Sequence, residues 1–136
     1  MGGDAVEVFE SLGQYEDGIV AAKADFERLP FHFGLRIQSQ AGLGRCHAQL
    51  GRATEAETAF KWAIAEARRC HMCLLELFAY VDYIKHVLDP AGRRDEALPG
   101  LGACILQMAS RPDEFNALLG DGLDAEAAVA VAAPRG

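Results

Sequence analysis

The sequence predicts an all-α protein made of about three antiparallel helical hairpins followed by a capping helix. Three observations lead there. A glycine-centred spacing occurs three times along the chain, the residues after the central glycine recur with the period of a helix, and no segment alternates apolar and polar residues as a half-buried strand would.

The central copy of the spacing runs Leu43-Gly44, then Gly51, with Ala56, Phe60 and Ala63 following at five, nine and twelve residues beyond that glycine. The same offsets from Gly13 give Gly18, Ala22 and Asp25, and from Gly92 they give Ala97, Leu101 and Cys104. A glycine at the head of each copy can take the left-handed conformation that ends a helix without steric cost. After Gly51, the residues Ala56, Ala59, Phe60, Ala63, Ile64 and Ala67 fall at i, i+3, i+4, i+7, i+8 and i+11, one apolar face of a helix that a neighbour must cover. Gly44 and Ala56 are expected to meet across the hairpin, where larger side chains would push the two helices apart.

This pattern resembles the tetratricopeptide repeat (TPR), a helix–turn–helix unit. The resemblance spans about residues 4–110 and is strongest over 43–63. It departs from the family where Gln40 and His47, and later Val81 and Leu88, stand at places the family gives to Trp and Tyr; Phe9 is the aromatic retained. Pro30 closes the first copy as the family does, while Arg68 holds that place in the second. The copies are 38 and 41 residues apart, against about 34 in the standard repeat, so the helices are expected to be longer. The resemblance implies an α-solenoid of TPR-like hairpins over 1–120, with repeats at about 1–30, 35–69 and 72–110, a cap at 112–119, and an Ala-rich acidic tail over 121–136.

Taken in order, the helices are expected over 4–12, 15–28, 35–50, 53–69, 72–88, 93–110 and 112–119. The first carries Ala5, Val6 and Phe9 and is about a turn shorter than its counterparts. Because repeat arrays bury each unit against the next, this start suggests self-association or further repeats at the N-terminal end. For 112–119, Pro112 suits a first helical position, Asp113 and Glu114 suit the positive end, and Gly120 suits the stop. A weaker helix over 122–132 has little to bury and is expected to fray.

Composition excludes several classes. The longest uninterrupted apolar run, Ala127 to Ala133, is far short of the roughly 20 residues of a membrane-spanning helix, and Asp4, Glu7 and Glu10 stand where an export signal would be basic and then apolar. Val6 occupies the place that N-myristoylation reserves for Ser or Thr after Met1-Gly2-Gly3. A cytoplasmic protein with reduced thiols is expected, since Cys46, Cys70, Cys73 and Cys104 form no dense framework. The net charge of −7 is uneven: residues 1–30 hold seven acids and two bases, 31–94 six acids and nine bases, and 95–136 seven acids and two bases. Such a chain suits neither nucleic acid nor membrane, and its basic middle would suit an acidic peptide.

The chemistry-bearing residues form no recognisable catalytic pattern. Cys70-His71-Met72-Cys73 is a single C-x-x-C without the second pair a structural zinc site needs. Cys104 falls at the register of Ala63 and reads as a small buried residue, and Cys46 lies on the apolar face of its helix. His32, His47, His71 and His86 are scattered, and Glu55, Glu57 and Glu66 are expected on solvated faces. No catalytic residue, cofactor or metal is expected.

Trp62 sits about 200° around its helix from Phe60, on the polar side, and is a candidate partner contact. The resemblance implies that the first helix of each hairpin lines a concave surface that holds peptides, which places Gln38, Arg45, Gln49, Asp82 and His86 there. The Lys, Arg and Asn set by which chaperone-binding members hold a terminal carboxylate is not recognisable. The expected function is a non-catalytic protein–protein interaction module that holds a peptide or helix. Two alternatives stay open: a structural or regulatory segment of a larger protein or repeat array, and a metal- or redox-responsive protein using Cys70 and Cys73.

Overall fold

The computed structural model describes residues 2–110, with side chains from residue 5 onward. The helices expected over 112–119 and 122–132, and the tail over 121–136, lie outside the described residues. Within them are six α-helices and no strand: α1 (Gly2–Ser11), α2 (Tyr15–Arg28), α3 (Phe33–Gln49), α4 (Ala53–Arg69), α5 (Cys73–Tyr83) and α6 (Leu98–Ala109). Each packs against the next along the chain; α1 also meets α3, and α3 also meets α5, so the three odd-numbered helices lie side by side.

One device closes the turns after α1, α3 and α5. Gly13, Gly51 and Gly92 have φ of 71°, 75° and 69°. At the central turn the Gly51 amide donates to the Ala48 carbonyl and the Arg52 amide to the His47 carbonyl, and the same two bonds recur from Gly13 and Gln14 and from Gly92 and Arg93. This is the Schellman closure, in which a left-handed residue lets two amides satisfy the last free carbonyls of a helix. The turn after α4 uses it too, with His71 at φ 57° in the glycine's place.

The core centres on Phe60, which is fully buried. The α4 face read from the sequence is buried throughout, from Ala56 to Ala67. Burying a phenylalanine contributes about 1.5–3 kcal/mol, and Gly44 makes room for this one: a Cβ there would stand 2.9 Å from the Phe60 ring. The three atoms nearest that position all belong to the Phe60 ring, which fills the space the absent side chain leaves. A smaller cluster of Val6, Ile19, Ala22 and Cys46 joins α1 and α2 to α3. There a Cβ on Gly18 would come within 2.8 Å of Cys46 Sγ, and one on Gly42 within 2.8 Å of Val6.

Two prolines shape the last hairpin. Pro90 cannot donate to the carbonyl of residue 86 and its ring would crowd that carbonyl, and just before it α5 widens into a π-helical turn, Ile84–Leu88, closed by the Asp89 amide on the Ile84 carbonyl at 2.8 Å. The single helix expected over 93–110 is instead a 3-10 turn, Arg94–Glu96, followed by α6. Pro99, which lacks an amide donor, is tolerated only in a first turn and so fixes where α6 begins.

Polar ties cross between helices. Glu76 of α5 is buried and accepts from Arg68 of α4 at 2.9 and 3.2 Å. Glu57, expected on a solvated face, is half-buried and accepts from the Tyr83 hydroxyl at 2.6 Å and from Arg93 at 2.8 Å. These bonds hold its carboxyl below the ordinary carboxylate range, the Tyr83 contribution being the largest.

Candidate interaction groove

The side-by-side odd helices leave a groove of about 610 Å³ between them, and every described residue that lines it belongs to α1, α3 or α5. Its walls are apolar at Leu75, Phe78 and Val81, which are half-buried, with buried Val6, Ile37 and Ala79 beneath. Glu7, Glu10, Gln38, Arg45 and Asp82 supply most of its polar rim. The spacing that makes this surface is helical: Glu7, Glu10 and Ser11 share one face of α1, Gln38 and Arg45 one face of α3, and Phe78, Val81 and Asp82 one face of α5.

Arg45 ties the three walls together. Its Nε donates to Glu10 at 2.9 and 3.2 Å and its Nη2 to the same carboxylate at 2.9 Å, while Nη1 donates to Asp82 at 3.0 Å. Burial alone would pull the guanidinium pKa down, but hydrogen bonds and charge from Glu10 and Asp82 raise it above its ordinary value. A guanidinium presents its donors in a planar fork, so one side chain can hold a carboxylate from each neighbouring helix. Among the described residues the groove therefore carries three carboxylates, of Glu7, Glu10 and Asp82, against this one cation.

No family model, curated protein or solved structure matches the chain.

Of the residues singled out from the sequence, Gln38, Arg45 and Asp82 come together in the groove. Gln49 is exposed near the end of α3, outside it. His86 is half-buried and stacks on Phe60, with ring centroids 6.4 Å apart and planes at 13°, and it does not line the groove. Trp62 is half-buried against Phe26 of α2, edge to face at 5.2 Å, with the Arg36 guanidinium 3.7 Å over the Phe26 ring. It joins one hairpin to the next on the side formed by α2 and α4. The sequence reading missed Glu7, Glu10, Leu75 and Phe78 as groove residues; the shared face of Glu7, Glu10 and Ser11 at i, i+3 and i+4 was the available signal in α1.

Cys46, Cys73 and Cys104 are packed in the core. Cys46 and Cys104 are buried, and burial pushes their thiols up to about 11 and about 12, the opposite of what a nucleophilic thiolate requires. Cys73 is buried with its carbonyl 3.5 Å from Cys104 Sγ, and Cys70 is half-buried. No group of three or more His, Cys, Asp or Glu side chains placed to hold a metal occurs among the described residues. None of the described helices is long and apolar enough to cross a membrane.

Proposed function

We propose that the chain is a non-catalytic interaction module, a TPR-like stack of three hairpins that holds a peptide or helix of a partner protein between α1, α3 and α5. One observation carries this reading: all the described residues that line the groove come from the first helix of a glycine-closed hairpin, with Gln38, Arg45 and Asp82 converging on it. Apolar walls that take the anchor side chains of a peptide, with a few convergent polar groups that fix its orientation, suit such a role. The left-handed glycines at the three equivalent turns support the repeat part of the reading.

A photo-crosslinking amino acid at position 38 in the groove, compared with one at Lys61 on α4, tests it. Capture from extract of a partner that crosslinks through position 38 and not through position 61 is the expected result. A partner that crosslinks only through position 61 would place the interaction elsewhere.

A second reading, a segment of a longer repeat array, is favoured by the exposed apolar residues at α1. Val8 on α1 and Leu12 in the turn after it are 55% and 64% exposed. Concentration-dependent sedimentation that Leu12→Glu abolishes would support contact through the α1 end.

A further inference from the structure

The charge of the groove identifies the chemistry of its occupant, and this step rests on the groove reading proposed above. The basic middle of the chain suggests an acidic ligand, but Arg45, the cation among the described lining residues, has its fork filled: Glu10 takes Nε and Nη2, and Asp82 takes Nη1. An acidic group arriving there would have to displace one carboxylate and remain beside the other. Glu7, exposed on α1 at the rim, has no ion pair among the described residues. With three carboxylates and one guanidinium, the described lining has a formal net charge of −2. Low-dielectric apolar walls concentrate such a potential on whatever enters.

We infer that the groove takes a short apolar segment of a partner protein bearing a lysine or arginine, with its aliphatic or aromatic side chains on Leu75, Phe78 and Val81 and its cation between Glu7 and Asp82. Residues 95–126 hold seven acids and one base and are repelled, whereas 127–136 are apolar with Arg135 alone charged, so peptide binding that appears only on Arg135→Glu would make this tail, and not a partner protein, the occupant. The volume of about 610 Å³ suits a few inserted side chains better than a whole helix, which is about 10 Å across.

The test is selection of a random 12-residue peptide library on the full chain, followed by fluorescence anisotropy with the enriched peptides as labelled synthetic probes. Enriched sequences are expected to combine Leu, Val or Phe with Lys or Arg. Their affinity should fall about five- to tenfold on Glu7→Lys, weaken as salt is raised, and be lost on Val81→Glu. Gln38→Trp, which fills the groove from an exposed position, serves as the blocking variant should Val81→Glu unfold the chain. Acidic or neutral peptides that are lost on groove blockage would overturn the basic-ligand inference while leaving the groove reading in place. Absence of enrichment, or binding indifferent to both blocking variants, would overturn the groove reading and this inference with it.

Discussion

Arg45 and Glu10 lie 35 residues apart in the chain and share a two-pronged ion pair, with the Asp82 carboxylate on the remaining amino group of the same guanidinium. Both ion pairs are mostly buried, at 21–24% side-chain exposure. Removing the cation leaves two carboxylates facing each other across the groove, and an unsatisfied partly buried charge costs about 1–3 kcal/mol. Arg45→Met should lower the urea-unfolding free energy by about that amount. The triple variant Arg45→Met, Glu10→Gln, Asp82→Asn should recover most of the loss, because the repulsion goes with the charges. A triple variant no more stable than Arg45→Met would mean that the guanidinium contributes mainly by packing.

The approach of Gly44 to Phe60 makes an opposed pair of glycine substitutions. Ala is favoured over Gly inside a helix by up to about 1 kcal/mol, yet at position 44 a Cβ would stand 2.9 Å from a fully buried ring that Tyr83 and His86 confine. Overpacking of this kind costs about 1–3 kcal/mol, so Gly44→Ala should destabilise and Gly44→Val more so. At Gly102 in α6 nothing lies within 4 Å of the added carbon, and Gly102→Ala should stabilise by about 0.5–1 kcal/mol. Chemical denaturation reads both, and equal signs at the two positions would contradict the packing described.

His71 occupies a left-handed turn that the other three closures give to glycine. It is exposed, so replacing it loses little packing. His71→Gly should relieve backbone strain and gain about 0.5–1 kcal/mol net of the added freedom of the unfolded chain, seen as a Tm rise of about 3 °C. A fall in Tm would show that the His71 side chain makes a stabilising contact that outweighs the strain.

Two histidines set the response to mild acid. Burial, with Arg52 next in importance and Lys23 adding to it, lowers the pKa of His47 from its ordinary 6.5 against the opposing pull of Glu55 and Glu16. Burial likewise lowers that of His86, helped by Lys85 and Arg45 and opposed by Asp82 and Glu10. His47 Nδ1 is buried without a hydrogen-bond partner in the described structure. A histidine whose pKa is lower folded than unfolded stays neutral in the native state while the unfolded chain takes up protons. Stability is therefore full above pH 6.5 and falls as pH drops from there through the folded pKa values. The depressed carboxyls of Glu57, Glu66 and Glu96 add their own loss only below their ordinary 4.5, so thermal melts between pH 7 and 5 report the histidines. His47→Gln with His86→Gln should flatten that slope; an unchanged slope would move its origin elsewhere.

How far these features were legible depends on whether they are local. The helical hairpins, the turns at Gly13, Gly51 and Gly92, the buried face of α4 and the burial of Cys104 follow from spacing along the chain, which sequence periodicity records directly. The π-helical turn before Pro90 and the late start of α6 at Leu98 were readable in principle, since a proline removes a known donor, but the periodic pattern ran through both and hid them. The Arg45 pairings were not readable: they join residues 35 and 37 apart, and helical period fixes the face a side chain occupies but not which neighbouring helix it meets. The same limit misplaced Glu57 and left open whether Trp62 is covered. Three of the six partner-binding candidates, Gln38, Arg45 and Asp82, reach the groove; Gln49 and His86 share their faces at i+4 but lie beyond the last described lining residues, Arg45 and Asp82.

The most direct measurement of the groove reading is two-dimensional NMR of the full chain titrated with an enriched peptide. Shift changes are expected to concentrate in α1, α3 and α5, with the Glu7, Gln38, Arg45, Val81 and Asp82 amides moving most and the Trp62 indole signal unchanged. Changes confined to α2, α4 and α6, with the Trp62 indole moving and the groove amides still, would contradict it.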